Sequence, residues 1–417
     1  MKKRLLFIGG NDSRELLEAA ERRGIELVFM LLPSVLAKTA VTGPVIAVEP
    51  LNLDQPLLAM VASIIEVVKR HDIAGIVPVM EFALMPGTVA AAKLGFPAHS
   101  LKAVRTTRDK TIMRRTLDAA GLRQIAHAAC RTIEEARDFL ARTGAPIIVK
   151  PVSGSGSDGV TRVDHSSQLE EAWAIATGSV AFTGVICEQY VEGPEVSVEG
   201  YCTGGVFVPV AITDKTTNEH FLEIGHDQPS RLPAEAQQRI FDYTARVLAA
   251  LSVTDGWTHT EVRLGSLDPR QMNPVIIETH TRRGGASIDL ITRISTGVST
   301  NDVTFDFALG LVPSARPRDT GQAAAVRFLN GPAGVIDSID VPELPEQGIA
   351  GVQIDLNPGD SVSARSTATS RIGRLVGTGR NAAEAVANAE AYRASIRIRY
   401  AEAPGAPEEP RWITPAA

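Results

Sequence analysis

From Arg4 to about residue 100 the chain alternates short apolar runs with amphipathic ones. RLLFIG, IELVFM and AGIVPVM have the length and density of buried strands, whereas SRELLEAAERRG and VASIIEVVKRHD repeat apolar residues three and four apart, as on one helix face. This β-α-β order predicts a parallel sheet with right-handed crossovers, hence a small doubly wound α/β domain over residues 1–100. Gly9-Gly10 after the first run lack the rest of a dinucleotide-binding glycine pattern, and a tight turn accounts for them. Glu81, in PVMEFAL, falls at the carboxyl end of the last run, where open α/β sheets place ligands, or else caps the next helix.

The pattern then changes. TTRDKTIMRRTLDAAGL predicts one capped amphipathic helix containing Asp109-Lys110, and TIEEARDFLARTG a second, ended by Gly144. The short strand APIIVK ends at Lys150. In the following SGSGSDG, Gly154, Gly156 and Gly159 match G-x-G-x-x-G by letter, yet the strand-like VTRVD follows where a dinucleotide fold would begin a helix. A loop between two antiparallel strands is therefore expected. Its free backbone N–H groups, beside a lysine, suit a phosphate or simply form a flexible tip. In VICEQYVEGPEVSVEGY one strand ends near Glu188 and another opens at Glu195, with Gly193-Pro194 between them.

Two further alternating runs carry charge. THTEVRL holds Glu261, and VIIETHTR holds Glu278, His280 and Arg282 at every second position, so the last three would share a strand face. SLDPRQMNP between the runs has the Asp, Pro and Asn of a turn, which predicts a hairpin bringing Glu261 to Glu278. Two carboxylates with phosphate oxygens are a set that Mg²⁺ prefers. Residues 321–400 give short apolar alternations and one helix, NAAEAVANAEAYRASI. A proline-rich stretch without periodicity closes the chain.

Composition narrows the partners. With 417 residues, 44% of them hydrophobic and 22% charged, the chain has room for two or three globular domains. A net charge of −6 argues against a general nucleic-acid binder. Cys130, Cys187 and Cys202 lack CxxC spacing and read as buried thiols of a reducing compartment. MKKRLLFIGG is too short in its apolar part for a signal core or a membrane span, so a cytoplasmic protein without membrane association is expected.

Lys110, Lys150, SGSGSDG, EQYVEGPE, Glu261 and ETHTR occur in the order found in the ATP-grasp superfamily of carboxylate–amine ligases, which the chain resembles over roughly residues 1–400. The resemblance implies ATP, with Lys110 and Lys150 on its phosphates beneath a loop of Ser153, Gly154, Ser155, Gly156, Ser157 and Gly159. It implies Glu188 and the Tyr190–Val191 backbone on adenine, and Glu195 on ribose. Mg²⁺, as a pair of ions that Mn²⁺ can replace, would lie on Glu261, Glu278 and His280, the last standing where the superfamily usually carries Asn. Arg282 would face the transferring phosphoryl group.

ITDKTTNEHFLEIGHDQPSRL is similar to the amino-acid pocket of L-amino-acid ligases of the bacilysin-synthetase type, with Lys215, Phe221, Glu223, Gly225, His226, Pro229 and Ser230 in the places of K…F-x-E-x-G-H-x-x-P-S. This likeness puts Glu81, Lys215, Glu223, His226, Arg282, Gly284 and Gly285 on the substrates, with Glu223 and His226 holding and deprotonating an ammonium. The implied fold is α/β and α+β. It has a doubly wound domain over 1–100, a small grasp lobe with linker over 101–190, a large lobe over 191–315, a β-rich C-terminal subdomain over 316–400 and a flexible tail over 401–417. The implied reaction phosphorylates a carboxylate to an acyl phosphate, couples it to an amine and releases ADP and phosphate. Small-molecule acid and amine are then the partners, with room for a homodimer. A bicarbonate-phosphorylating carboxylase, a non-catalytic nucleotide-binding grasp domain and, more remotely, a dehydrogenase are the rival readings.

Overall fold

A computed structural model describes residues 3–413 apart from 11–12, 37–38, 123–124, 155, 180–181, 219–220, 269–270, 364–370 and 402–411. The first segment runs β1 (Lys3–Ile8), α1 (Arg14–Arg23), β2 (Ile25–Leu31), α2 (Pro33–Leu36), β3 (Val45–Pro50), α3 (Leu57–His71), β4 (Gly75–Pro78) and α4 (Glu81–Leu94). Its four strands pair in parallel in the order β3-β2-β1-β4. Alternate residues of β1 feed two cores. Leu6 and Ile8 pack toward α3 and α4, while Leu5 and Phe7 pack toward α1, so the strand is apolar throughout. The sequence reading passed over β3, whose VIAVEP is half-buried and mixed, and α4, whose small residues are buried nearly all round with Pro86 inside and so show no amphipathic stripe.

The single helix expected around Asp109 is two helices, α5 (Leu101–Arg108) and α6 (Lys110–Ala119). Asp109 has extended φ, ψ of −96° and 105°, and its carboxylate accepts from the Ile112 N–H at 2.9 Å, ending one helix and capping the next. An amphipathic pattern continues through such a break, because the apolar spacing does not reveal a cap.

The small lobe contains β5 (His127–Cys130), α7 (Ile133–Thr143), β6 (Ile147–Pro151), β7 (Thr161–Val163), α8 (Leu169–Thr177) and β8 (Val185–Gln189), with antiparallel strands in the order β5-β8-β6-β7. The glycine loop joins β6 to β7, as a strand-to-strand connection requires. The remaining elements are β9 (Glu195–Thr203), β10 (Val206–Thr217), β11 (Glu223–Gln228), α9 (Ala234–Ala250), β12 (Gly256–Arg263), β13 (Val275–His280), α10 (Ile288–Thr296), α11 (Thr300–Ala308), β14 (Ala323–Leu329), β15 (Gly334–Asp340), β16 (Ile349–Ile354), β17 (Ser361–Val362), β18 (Gly373–Gly379), α12 (Ala382–Ser395), β19 (Arg397–Tyr400) and β20 (Trp412–Ile413). One antiparallel sheet of eight strands, β13-β12-β9-β10-β11-β14-β18-β16, carries most of them. A four-stranded sheet, β17-β15-β19-β20, lies beside it in strand order. Strands β8 and β9 belong to different sheets, so the EQYVEGPE connection crosses from the small lobe to the large one. All three cysteines are buried.

The doubly wound segment is tied to the rest through α11. Arg23 reaches Asp306 at 2.6 Å, and the Phe305 ring meets the Phe7 ring edge-on at 6.1 Å between centroids. Phe305 is fully buried. Phe305→Ala should therefore lower unfolding stability by roughly 3–5 kcal/mol. Urea unfolding checks this, with a shifted midpoint and an unchanged slope as the expected outcome.

Candidate functional site

Strands β12 and β13 set the site. Their register faces Glu261 with Glu278 and His259 with His280, and a bulge follows Glu261. The expected hairpin is thus present, and it delivers more than two carboxylates. His259 and Arg263 lie in phase with Glu261 in THTEVRL. The His259 and His280 rings stack at 5.9 Å, and Arg263 Nε lies 3.3 Å from Glu195. The alternation that reveals Glu261 carries these two as well.

Four acidic side chains of the eight-stranded sheet are neutralised by the buried Lys215 and Lys110. Lys215 Nζ, on β10, lies 2.9 Å from Glu195, 2.7 Å from Glu223 and 2.8 Å from Glu261. Burial alone would lower the ammonium's pKa, but the three carboxylates hold it well above its ordinary value. Lys110 Nζ, at the start of α6, lies 2.8 Å from Glu278. Against burial, the lysine and His280 hold that carboxyl well below the usual range. Glu261, likewise opposed by burial, is brought to about 2 chiefly by Lys215. His259 Nδ1 donates to Glu199 Oε1 at 2.8 Å, and despite burial Glu199 and Glu261 push its pKa up to about 9.

The first cavity, about 120 Å³, lies between the lobes. Lys110, Lys150 and the glycine loop line one side, and Ile148, Val160, Leu222 and Ile277 give it apolar faces suited to a flat ring. Gly154, Gly156, Ser157 and Gly159 all have positive φ, a path that favours glycine, and Ser157 Oγ donates to the Phe221 carbonyl at 3.1 Å, leaning the loop on the large lobe. Ser153 Oγ lies 3.1 Å from Thr183 Oγ1. Ser155 lies outside the described residues. Lys150 is buried against Glu188 at 2.7 Å, and Glu188 also takes Arg114 Nε at 2.8 Å, so Glu188 anchors the lysine from beneath. The Tyr190 N–H donates to the Pro146 carbonyl at 3.2 Å, and the Val191 carbonyl accepts from Arg263 at 3.1 Å.

A second cavity of about 620 Å³ adjoins the first and shares Glu223, Glu261 and Glu278 with it. Glu81, His226, His280, Arg282, Gly284 and Gly285 also line it. Glu81 opens α4 and receives His280 Nδ1 at 3.0 Å, Arg282 Nε at 3.3 Å and Arg108 Nε at 3.1 Å. Burial opposes its ionisation, yet these cations bring it to about 2. His280 Nε2 lies 3.2 Å from Glu278, so the imidazole bridges two carboxylates. His226 Nε2 lies 3.4 Å from Glu223, its ring edge-on to Phe328 at 5.3 Å. Arg371 donates to the Glu223 carbonyl at 2.8 Å and stacks 3.6 Å over the Phe328 ring. Arg108, Arg114 and Arg371 carried no sequence signal, since single arginines in arginine-rich runs look alike.

Glu261 and Glu278 are the pair that would hold a divalent cation. No group of three His, Cys, Asp or Glu among the described residues forms a closed metal site. The donor set fits Mg²⁺, which takes one or two carboxylates and keeps water and phosphate oxygens for its other positions.

Residues 143–288 match the family model of the ATP-grasp domain, and residues 327–401 that of the L-amino acid ligase C-terminal domain 2. The chain thus contains an ATP-grasp domain, followed by an L-amino acid ligase C-terminal domain 2. Alanine–anticapsin ligase of Bacillus subtilis strain 168 is 26% identical over 254 residues, which are 56% of this chain and 53% of that protein. D-Alanine–D-alanine ligase of Pseudomonas fluorescens is 27% identical over 184 residues, 43% of this chain and 56% of that one. The chain spans about half the length of these curated relatives. Among solved structures, L-amino acid ligase from Bacillus licheniformis superposes with a TM-score of 0.82 at 23% identity, covering 96% of this chain and 99% of that one. Phosphoribosylglycinamide synthetase from Anaerococcus prevotii gives 0.72 at 16% identity, covering 95% and 99%. These likenesses establish the expected mixed α/β ATP-grasp fold.

Glu188 gives a pH test of the inter-lobe clamp. Against burial, Arg114 and Lys150 hold its carboxyl at about 2, below its unfolded value. Its stabilisation is therefore complete above the unfolded pKa of about 4.3 and is lost as pH falls toward 2. Glu188→Gln should destabilise the fold by roughly 3–5 kcal/mol at neutral pH, where it strands a buried cation. Urea unfolding at neutral pH and near pH 3 should show the gap from wild type narrowing in acid. A gap independent of pH would assign the clamp to another group.

Proposed function

We propose that the chain is an ADP-forming, Mg²⁺-dependent ligase that couples an amino acid or similar carboxylate to an amine. The observation that carries this reading is the Glu261–Glu278 pair, held by Lys215 and Lys110 in the wall common to the two cavities. A nucleotide in the first cavity would point its phosphates at that wall, and an acid in the second would meet them there.

In this reading Lys110 and Lys150 hold phosphates beneath the glycine loop, the Ile148 and Ile277 side takes the base, and Glu195 takes ribose hydroxyls. Glu261 and Glu278 would hold Mg²⁺, which would neutralise phosphate charge there. Unactivated carboxylate is a poor electrophile, so the γ-phosphoryl group moves to the acid and makes an acyl phosphate, with Arg282 facing the charge that builds during transfer. Glu223 holds the ammonium of the second substrate, and His226 beside it accepts a proton before the amine attacks. The amide forms as the phosphate leaves. The loop from Gly154 to Gly159, resting on Phe221, keeps water from the acyl phosphate. His280 acts here as a bridge from Glu278 to Glu81.

A screen of paired amino acids for ADP release, with mass analysis of products, tests the reaction. ADP should appear only when an acid and an amine are both present, together with their condensation product. ATP hydrolysis stimulated by bicarbonate alone would favour the carboxylase reading, and ATP binding without turnover for any pair would favour a non-catalytic domain. Arg282→Ala should lower turnover by about 10²–10³-fold with nucleotide affinity little changed, because its charge acts on the transfer. Glu278→Gln should lose more Mg²⁺-dependent turnover than Glu195→Gln, since the one carboxylate holds metal and the other ribose; equal mild losses would overturn that division.

A further inference from the structure

Arg282 also lines a third cavity of about 360 Å³, which adjoins the second and shares Val79, Arg282 and Arg283 with it. The end of β4, the Pro97–His99 segment, the start of β12 and the turn after α11 enclose it. Three buried polar atoms of its lining residues make no hydrogen bond to any described residue: His99 Nδ1, Trp257 Nε1 and Thr281 Oγ1. Trp257 is 4% exposed and Thr281 2%. Buried polar atoms nearly always have partners, so three without one behind a single cavity wall gain them only if these side chains turn toward an occupant.

The lining also specifies what fits. The indole N–H can only donate, as can a guanidinium. Burial, opposed by Asp255 and by a hydrogen bond to the Trp257 backbone, lowers the His99 pKa to about 4, so its ring is neutral near pH 7. Asp255, the one acid of the wall among the described residues, already accepts from the Gly204 N–H at 2.9 Å. Arg282 Nε pairs with Glu81, itself shared with Arg108 and His280, and Nη1 donates to the Arg283 carbonyl at 3.0 Å, which leaves cationic charge in excess at this wall. Val77, Pro97, Phe307, Ala308 and Leu311 make the rest apolar.

We propose that this cavity is a second ligand site, taking a compact carboxylate with a branched or aromatic apolar body, and that its occupant lowers turnover by sharing Arg282 with the substrate cavity. The binding half stands on the cavity itself, and the turnover half rests on the ligase reading.

Of the three tryptophans, Trp173 and Trp412 can be replaced by Phe, leaving Trp257 as a reporter in the wall. Titration of that variant with phenylacetate and with isovalerate should change Trp257 fluorescence saturably, with phenylacetamide at least about tenfold weaker for want of charge. Val312→Phe, at an exposed position of the cavity rim, should weaken phenylacetate binding at least about fivefold while leaving thermal stability, and ADP release from substrate pairs without phenylacetate, unchanged. Calorimetry on Trp257→Phe should show weaker binding from the lost N–H donor. No saturable change below about 10 mM for either acid, or equal binding by Val312→Phe, overturns the site and leaves a cavity holding only water. With substrate pairs, phenylacetate should lower kcat for the wild type and much less for Val312→Phe. Binding without any such effect overturns the shared-Arg282 half, whereas binding in a protein that releases no ADP for any pair overturns the ligase reading and leaves the ligand site standing.

Discussion

The site depends on one buried ammonium. Glu195, Glu223 and Glu261 project from three strands toward a common point, and without a cation there their mutual repulsion would part the strands. Lys215 sits within 2.9 Å of all three. Its position on β10, paired with β9 on one edge and β11 on the other, fixes where the carboxylates meet. The cluster is therefore built with its anions already ionised. In the functional reading it trades lysine contacts for ligand contacts when metal and phosphates arrive, without first having to lose protons.

Arg114 performs a parallel task between the lobes. It is completely buried, it takes Glu188 of the small lobe with Nε and Nη2, and it donates to the Ile276 and Ile277 carbonyls of β13 at 2.7 and 3.3 Å. The strand that presents Glu278 is thereby linked through one guanidinium to the residue that holds Lys150. Breaking such a buried pair is far more damaging than its net worth in stability suggests, because the surviving charge has no water to turn to. Lys150 and Glu278 thus have a fixed spacing, although they belong to different sheets.

Much of the frame was legible in the sequence. The alternation in VIIETHTR and THTEVRL predicted the hairpin and the Glu261–Glu278 pairing, because a period of two leaves little freedom once both runs are strands. The strand after SGSGSDG correctly separated that loop from a dinucleotide fold. What escaped were features that periodicity does not encode. Asp109 splits a helix by its backbone conformation and a cap, and the apolar spacing passes through unchanged. Strand β3 and helix α4 lack a clean stripe. Lys215 was expected near substrate, but its threefold carboxylate environment required the meeting of three strands far apart in sequence.

His280 shows why a local departure from a family pattern need not be neutral. The resemblance leads to an amide at this position, whereas an imidazole stands here with one nitrogen 3.0 Å from Glu81 and the other 3.2 Å from Glu278. Burial and Arg282 resist its protonation, but Glu278 and Glu81 outweigh them and raise its pKa. A protonated imidazole donates from both sides of the ring, while an amide carries its donors on one nitrogen and cannot offer its oxygen to a carboxylate. His280 can therefore span two anions that an Asn could join only by crowding both against one atom. One of those anions opens α4, so this imidazole helps tie the doubly wound segment to strand β13 and makes Glu81 part of the site's charge balance.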